Sequence, residues 1–226
     1  PDGELFIRYA RKILKQVDDI ESIFKDGSTA REQFSISVPR ASYIAAAFAE
    51  FSKRIPPSSD TELFYKETNA YRVIHNILKE DYKLGILRYR EQYDEYYKEL
   101  IKEKGLSSEL ITGFSYVLIA NRESPLCRAG AVSPAMLNGY IEIAHADPYV
   151  PSLPPSEVKK DELSEHTGCR IFVFERASQF ELLAKNPNTY MWVSSIPGDL
   201  MERYGLVEIP SGGETRRYKD FLIHRE

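Results

Sequence analysis

The chain has 226 residues, of which 42% are hydrophobic and 28% are charged, and its net charge at pH 7 is −4. This composition is typical of a globular protein large enough for one domain or two small lobes. The mild acidity argues against a large nucleic-acid-binding surface within these residues. No run of about eighteen apolar residues predicts a membrane span.

The cysteines and the first residues bear on the compartment. The only two cysteines, Cys127 and Cys169, do not suggest a disulfide framework. Two interpretations stay open, a single disulfide bond and a reduced cytoplasmic setting. The opening residues are charged and amphipathic and lack the apolar core of a signal peptide. We therefore expect a cytoplasmic protein.

A heptad pattern opens the chain. Apolar residues recur at steps of four and three on a helix whose other faces are charged: Phe6, Ala10, Ile13, Val17, Ile20 and Phe24. Such a seam is usually buried against a second helix. We interpret residues 1–27 as a linker and dimerisation helix with its hinge. The alternative is that this helix packs on its own domain.

Three strand–helix pairs follow. The strands are predicted in "FSISV", "TELFYKETN" and "KLGILRY", and the helices lie after each of them. The inward stripe of the first helix is predicted to be Tyr43, Ala47, Phe48 and Phe51. The third helix is predicted to end at Gly105. This alternation is typical of a parallel α/β sheet.

The alternation starts again after residue 112. Further strands are predicted in "FSYVLIANR", "YIEIAH", "RIFVFER", "YMWVSSIP", "LVEIP" and "YKDFLIHR", with a short helix in "SPAMLNGY", a helix in "EVKKDELSEHTG" after a Pro-rich loop, and a helix in "SQFELLAKNP". The last strand has no obvious partner in the second half, so we expect it to return to the first. The pattern predicts two α/β lobes, residues 28–112 with 209–226 and residues 113–208. The lobes would be joined by two crossover strands, with a cleft between them.

Several segments resemble LysR-type transcriptional regulators, in the order in which that family has them. The stretch "DGELFIRYARKIL" is similar to the end of the family's winged helix and the start of its linker helix. The stretch from "LGILRYREQYDEYY" to "NGYIEI" resembles its third strand, the next helix and a crossover strand. "YMWVSSIPGDLMERYGLVEIP" resembles a later run. The resemblance implies a type 2 periplasmic-binding-protein fold, and a fragment made of the effector domain and linker without the winged helix-turn-helix.

Polar residues follow the predicted strands of both lobes. In open α/β sheets ligands bind outside the carboxyl ends of the strands, near helix N-termini. The candidate effector-binding residues are Ser37, Val38, Pro39, Arg40, Ser42, Thr68, Asn69, Arg88, Tyr89, His145, Glu175, Ser178 and Ser194. Arg88 is a candidate carboxylate clamp; the alternative, a surface ion pair, is the default interpretation. For Ser42, Thr68 and Asn69 the alternative is helix capping.

No pattern predicts catalysis. The four histidines lie far apart without zinc-ligand spacing, and no phosphate-binding loop or nucleophile elbow is visible. We predict no cofactor, no metal site and no enzymatic activity.

The functional hypothesis is a small-molecule-sensing domain of a LysR-type regulator, working as a homodimer or tetramer. It would contact DNA only through an N-terminal domain outside these residues. The alternative is a solute-binding protein of a transporter, which has the same two-lobed architecture.

Overall fold

The computed structural model describes residues 32–145, 168–212 and 216–225. The heptad helix, its hinge, the Pro-rich loop and the helix predicted in "EVKKDELSEHTG" lie outside the described residues. Cα proximity divides the chain into two units, residues 1–34 with 57–64 and residues 35–56 with 65–226. In the first unit the side-chain amide of Gln33 donates to Glu62 over 2.9 Å. The candidate site described below lies within the second unit.

The first lobe is built on a five-stranded mixed sheet. Its strands are β1 (Glu32–Val38), β2 (Thr61–Glu67), β3 (Leu84–Arg90), β4 (Leu106–Ser115) and β10 (Arg217–Arg225), in the order β2-β1-β3-β10-β4. Strand β1 pairs with β3 in parallel, whereas β10 is antiparallel to both β3 and β4. The last strand therefore returns to the first lobe, as the sequence predicted.

Three helices accompany this sheet: α1 (Ser42–Ser52), α2 (Ala70–Lys79) and α3 (Asp94–Glu103). Helix α2 carries Ala70, Val73, Ile74 and Ile77 at helical spacing, and these residues pack with Leu87 of β3 and Ile223 of β10, among others, in one buried cluster. Burying each large aliphatic side chain contributes roughly 1.5–3 kcal/mol. The cluster therefore holds α2 against β3 and β10.

The second lobe has a second five-stranded sheet. Its strands are β5 (Val117–Asn121), β6 (Ile141–His145), β7 (Cys169–Val173), β8 (Thr189–Val193) and β9 (Leu206–Ile209), in the order β7-β6-β8-β5-β9. Strand β6 is parallel to β7 and β8, and β5 is antiparallel to β8 and β9. Helices α4 (Arg176–Lys185) and α5 (Gly198–Tyr204) belong to this lobe.

Two chain passages join the sheets. Strand β4 ends in the first sheet at Ser115 and β5 starts in the second at Val117, and the chain returns between β9 and β10. The predicted fold class, two α/β lobes joined by two crossovers, is confirmed. None of the described helices is long and apolar enough to cross a membrane.

Some local predictions were wrong. On α1, Ala47 and Phe51 are exposed, while Ser42 and Ile44 are buried, because the face of this helix that packs inward is centred near its first turn. The short helix predicted in "SPAMLNGY" is confirmed, as the 3₁₀ helix Pro134–Gly139. Helix α5 was not predicted, and neither was the full length of β4, which starts directly after Gly105.

Gly105 itself ends α3 as the sequence predicted. Its φ of 62° is the left-handed conformation that glycine adopts most easily at such a helix end.

Candidate functional site

A buried ion pair lies at the centre of the candidate site. Arg88 of β3 and Asp220 of β10 stand directly opposite each other in the antiparallel register. The Nε of Arg88 donates to Oδ1 of Asp220 over 2.9 Å, and Nη2 donates to Oδ2 over 2.6 Å. Only 8% of the Arg88 side chain and none of the Asp220 side chain is exposed. This two-point geometry is the strong, directional form of an arginine–carboxylate contact.

Aromatic side chains enclose this pair. The hydroxyl of Tyr43, from α1, donates to Oδ2 of Asp220. The guanidinium of Arg88 lies 4.7 Å from the ring centroid of Phe114 and 5.9 Å from that of Tyr43. Burial and the neighbouring Asp220 carboxylate raise the pKa of Tyr43, so its hydroxyl stays protonated and keeps donating. Asp220 thus accepts from two side chains of the first lobe.

A β-bulge lies beside Asp220. Along the β10–β4 pairing, Asp220 faces Thr112 and Phe221 faces Leu110, so that Ile111 is the extra residue. Bulges bend a strand and redirect its side chains. This irregularity falls at the position where β10 carries the buried carboxylate.

Arg88 also connects the two lobes. Its Nη1 donates to Oγ of Ser194 over 3.2 Å. Ser194 follows β8 of the second lobe and is 2% exposed. The guanidinium therefore bonds to one lobe through Asp220 and to the other through Ser194.

Two further polar contacts cross between the lobes. The Nε of Arg40, before α1, donates to the backbone carbonyl of Phe174 over 2.8 Å. Arg176, at the start of α4, forms an ion pair with Glu67 at the end of β2, with 2.9 Å between Nε and Oε1. Burial raises the pKa of Glu67, and the positive charges of Arg176 and Arg40 oppose that rise.

His145 lies at the carboxyl end of β6 in the second lobe. Its Nδ1 is 2.9 Å from Nε2 of Gln179 in α4. Burial, followed by the positive charges of Arg40 and Arg88, lowers the pKa of His145 to about 3. The imidazole is therefore neutral at pH 7 and lies within the field of two first-lobe arginines.

The structure brings some predicted residues together at the lobe boundary and leaves others elsewhere. Arg40, Arg88, His145 and Ser194 are linked there by the contacts and charge effects above. Seven others are buried or partly buried in the first lobe: Ser37, Val38, Pro39, Ser42, Thr68, Asn69 and Tyr89. Glu175 and Ser178 are exposed at the start of α4. Ligand contact by any of these residues stays a prediction.

Several first-lobe candidates have structural partners. The Oγ of Ser37 accepts from Nδ2 of Asn76 over 2.8 Å. Asn69 caps α2, because its side chain accepts from the backbone N–H of Arg72. Ser42 makes no capping bond, since the cap position of α1 is Ala41. Capping, the alternative interpretation, therefore holds for Asn69 and not for Ser42.

Arg88 and Tyr89 were expected to follow the third strand, but both lie within β3. The alternative for Arg88, a surface ion pair, was also wrong, because the pair with Asp220 is buried. Tyr89 points to the opposite face of the sheet, where its hydroxyl donates to Asp94 over 3.0 Å. Strand alternation separates these two neighbours.

The sequence analysis missed Asp220, Gln179 and Glu67. Asp220 had a detectable signal: it is an acidic residue inside the otherwise extended, partly apolar stretch "YKDFLIHR". A buried charge requires a partner of opposite sign, and Arg88 is such a residue in another strand. Gln179 and Glu67 gave no comparable signal, because both are ordinary in exposed positions.

Metal binding is not indicated by the side-chain geometry of the described residues. Across residues 32–145, 168–212 and 216–225, no group of three or more His, Cys, Asp or Glu residues is placed to hold a metal ion. What the arrangement does supply is a set of hydrogen-bonding groups contributed by both lobes.

Comparisons with known proteins identify the fold. No protein-family model and no curated protein matches the chain. The regulatory domain of MetR, a LysR family regulator from N. meningitidis, matches with a TM-score of 0.54 and 16% identity, over 86% of this chain and 84% of that one. A full-length OxyR variant from Pseudomonas aeruginosa matches with a TM-score of 0.58 and 11% identity, over 100% and 72%.

The reduced regulatory domain of OxyR2 from Vibrio vulnificus matches similarly, with a TM-score of 0.54 and 13% identity over 88% of each chain. The shared features are two mixed α/β sheets and the crossovers between them. The chain therefore has the fold of LysR-family regulatory domains, a type 2 periplasmic-binding-protein-like fold.

Proposed function

We propose that this chain is the effector-binding regulatory domain of a LysR-type DNA-binding transcriptional regulator. The observation that carries the proposal is Arg88, which is buried and bonded to Asp220 in one lobe and to Ser194 in the other. A group held in this way makes the position of one lobe depend on that of the other. The fold, shared with regulatory domains of LysR-family proteins, gives the same indication.

The proposed mechanism is a population shift between lobe arrangements. A small molecule that contacts both lobes shifts the population toward the arrangement that binds it better. The shift in free energy cannot exceed the difference in its binding free energy between the two arrangements. Arg88, Arg40 and Arg176 each make a contact that crosses the boundary, so a bound effector would rearrange or reinforce these contacts.

The effector is proposed to be a carboxylate, although the arrangement of Arg88 changes how it would bind. Nε and Nη2 of Arg88 already donate to Asp220, and Nη1 donates to Ser194. An incoming carboxylate at Arg88 would have to displace one of these acceptors. At Arg40, whose Nε donates to the backbone carbonyl of Phe174, an incoming carboxylate would replace a neutral acceptor with a charged one.

The wider assignment follows from the same proposal. The domain would act as a cytoplasmic homodimer or tetramer, paired through the heptad helix of residues 1–27, and would reach DNA through a separate N-terminal domain. Lobe I would comprise residues 28–112 with 209–226, and lobe II residues 113–208. The domain would regulate rather than catalyse, in keeping with its fold.

Thermal shift with a panel of small carboxylates, aromatic acids and amino acids tests effector binding. A binding compound raises the melting temperature by mass action on the folded state. Ser194→Ala removes the second-lobe acceptor of Arg88, so we expect it to reduce the ligand-induced shift. The matched control is Ser195→Ala, at an exposed neighbouring position.

An equal ligand-induced shift in the wild type and in Ser194→Ala would contradict the proposed coupling at the lobe boundary. If no compound in the panel raised the melting temperature, effector binding itself would be contradicted.

Sedimentation of residues 1–226 and 28–226 tests the proposed assembly. The longer form should be the higher oligomer if the heptad helix makes the dimer contact. The same oligomeric state and stability in both forms would contradict that role. A monomer that binds solute without any change in assembly would favour the solute-binding alternative.

A further inference from the structure

Gln179 is buried, and the oxygen of its side-chain amide accepts no hydrogen bond from the described residues. This residue of α4 has no exposed surface. Its Nε2 is bonded to Nδ1 of His145. Its Oε1 is buried, and no described residue donates a hydrogen bond to it. Since a buried amide oxygen without a donor destabilises a protein, the geometry calls for a donor from a bound molecule.

The hydrogen bond to Gln179 also fixes the state of His145. Because the amide nitrogen can only donate, Nδ1 of His145 must accept, and the proton of the neutral ring lies on Nε2. Burial and the two nearby arginines hold this ring in its neutral form. The pair thus offers one acceptor, Oε1 of Gln179, and one donor, the Nε2–H of His145.

The charge at this pair favours a particular ligand. Arg40 and Arg88 both disfavour a positive charge on His145, so the electrostatic potential at the ring is positive. A ligand group that donates to Gln179 while carrying a positive charge, such as an ammonium, is disfavoured there. A neutral hydroxyl donates to Gln179 without adding a positive charge, and a carboxylate beside it gains from the same potential.

We propose that the effector is a small hydroxycarboxylate whose hydroxyl donates to Oε1 of Gln179, with its carboxylate near Arg40. The inference rests on the proposed function, because it specifies the effector of the same site. It does not depend on breaking the Arg88–Asp220 pair, which stays intact.

The test compares acids that differ in one group. Three carbon skeletons are used, each with a hydroxyl, a hydrogen or an ammonium at carbon 2: lactate, propionate and alanine; malate, succinate and aspartate; and phenyllactate, phenylpropionate and phenylalanine. Calorimetry on the wild-type chain should give, for the skeleton that fits, at least about tenfold tighter binding of the hydroxy acid than of either partner.

The variant Gln179→Met removes the acceptor at nearly unchanged size. We expect it to abolish the preference for the hydroxy acid while leaving the affinity for the unsubstituted acid within about twofold of the wild-type value. Gln92→Met, at an exposed position, is the matched control and should keep the preference. A preference retained in Gln179→Met would overturn the inference.

A measurement without ligand tests the pair directly. Nitrogen-15 correlation spectra of the histidine ring should show His145 with its proton on Nε2. A proton on Nδ1 would mean that the Gln179 amide has the opposite orientation, with its nitrogen as the atom without a partner. That result would overturn the proposal that the ligand donates a hydrogen bond to Gln179. This readout is unaffected if a variant folds poorly.

The outcomes separate this inference from the proposed function. Acids that bind equally with and without the hydroxyl overturn the hydroxycarboxylate and leave effector binding in place. If no hydroxy acid of the three skeletons binds while another compound of the broader panel does, the ligand class is wrong and the regulatory function stands.

Discussion

The two faces of strand β3 show two different ways of holding the same sheet together. On one face Arg88 pairs with Asp220, enclosed by Tyr43 and Phe114. On the other face Tyr89 stacks on Tyr97 at a centroid separation of 4.3 Å and on Phe221 at 5.7 Å, next to the aliphatic cluster of α2. Removing a partner on the polar face leaves an uncompensated charge, whereas removing one on the apolar face leaves a cavity.

The contrast between the faces also indicates which face is available for function. The apolar face is filled by α2 and α3 of its own lobe, and its contacts depend on area rather than direction. The polar face depends on fixed geometry and includes an acceptor from the second lobe, Ser194. In the proposed function, a ligand would therefore act on the polar face, where small displacements change the hydrogen bonds.

Asp220→Ala should have the largest effect of the substitutions considered. It leaves the buried guanidinium of Arg88 without its carboxylate, and breaking such a pair costs about 3–5 kcal/mol. Denaturant unfolding monitored by circular dichroism measures the loss. The exposed pair Lys53–Glu50 provides the control, since Glu50→Ala should cost less than about 1 kcal/mol.

The double variant Arg88→Met/Asp220→Leu sharpens the comparison. Replacing both partners with apolar side chains should recover much of the stability lost in Asp220→Ala, because no charge is left buried. The coupling between the lobes should not recover, since Ser194 loses its donor. A double variant no more stable than Asp220→Ala would show that the charge imbalance is not the cause of the loss.

Leu87→Ala tests the apolar face and should lower the free energy of unfolding by about 3 kcal/mol. Leu87 has no exposed surface and lies in the cluster with Val73, Ile77 and Ile223, so truncation leaves a cavity that its neighbours fill only partly. The same denaturant experiment measures it. Leu110→Ala, at a side chain that is 52% exposed, should change stability by less than about 0.5 kcal/mol. Equal losses in both variants would contradict the cavity argument.

Gly85→Ala should cost about 1–3 kcal/mol by overfilling the same face. A Cβ at Gly85 would lie 2.6 Å from side-chain carbons of both Val73 and Ile77, so α2 has to move or change rotamers. Gly113→Ala in β4 is the matched control, because its Cβ would approach nothing closer than 3.9 Å. Combining Gly85→Ala with Ile77→Val should restore part of the stability; an unchanged loss would place the strain elsewhere.

The sequence predicted the sheets better than it predicted the site, and the physical reason is locality. Alternation and helical spacing are properties of neighbouring residues, and they located the strands of both lobes and the return of β10. The pair between Arg88 and Asp220 joins residues 132 positions apart, and only the register of two strands brings them opposite each other.

The burial of polar side chains is a second property that the sequence did not predict. Whether a polar residue such as Gln179 is exposed or buried depends on how its helix packs, and a single sequence does not state it. The inward stripe of α1 was misplaced for the same reason. Ala47 and Phe51 have the right spacing for a buried face, but the helix packs through a different side.

The pH dependence of the free energy of unfolding should reveal the contribution of His145. Its change per pH unit is the smallest effect predicted. The pKa of this ring is lowered to about 3 in the folded protein, against about 6.5 when unfolded. Between these two values the unfolded chain binds a proton that the folded one does not. Stability is therefore full above about pH 6.5 and decreases as the pH falls, by up to about 1.4 kcal/mol per unit.

His145→Gln removes the titrating ring, so its stability should fall less steeply than that of the wild type between pH 6.5 and pH 4. At pH 8 the ring is neutral in both states, and the two proteins then differ only through packing and hydrogen bonds. Unfolding in denaturant at several pH values gives the difference in slope, and carboxylates that titrate in the same range cancel in the comparison. Parallel curves would mean that His145 takes up a proton in the folded state as easily as in the unfolded chain. Burial of the ring and the charges of Arg40 and Arg88 would then not hold it neutral, and the positive potential that selects a hydroxyl over an ammonium would lose its support.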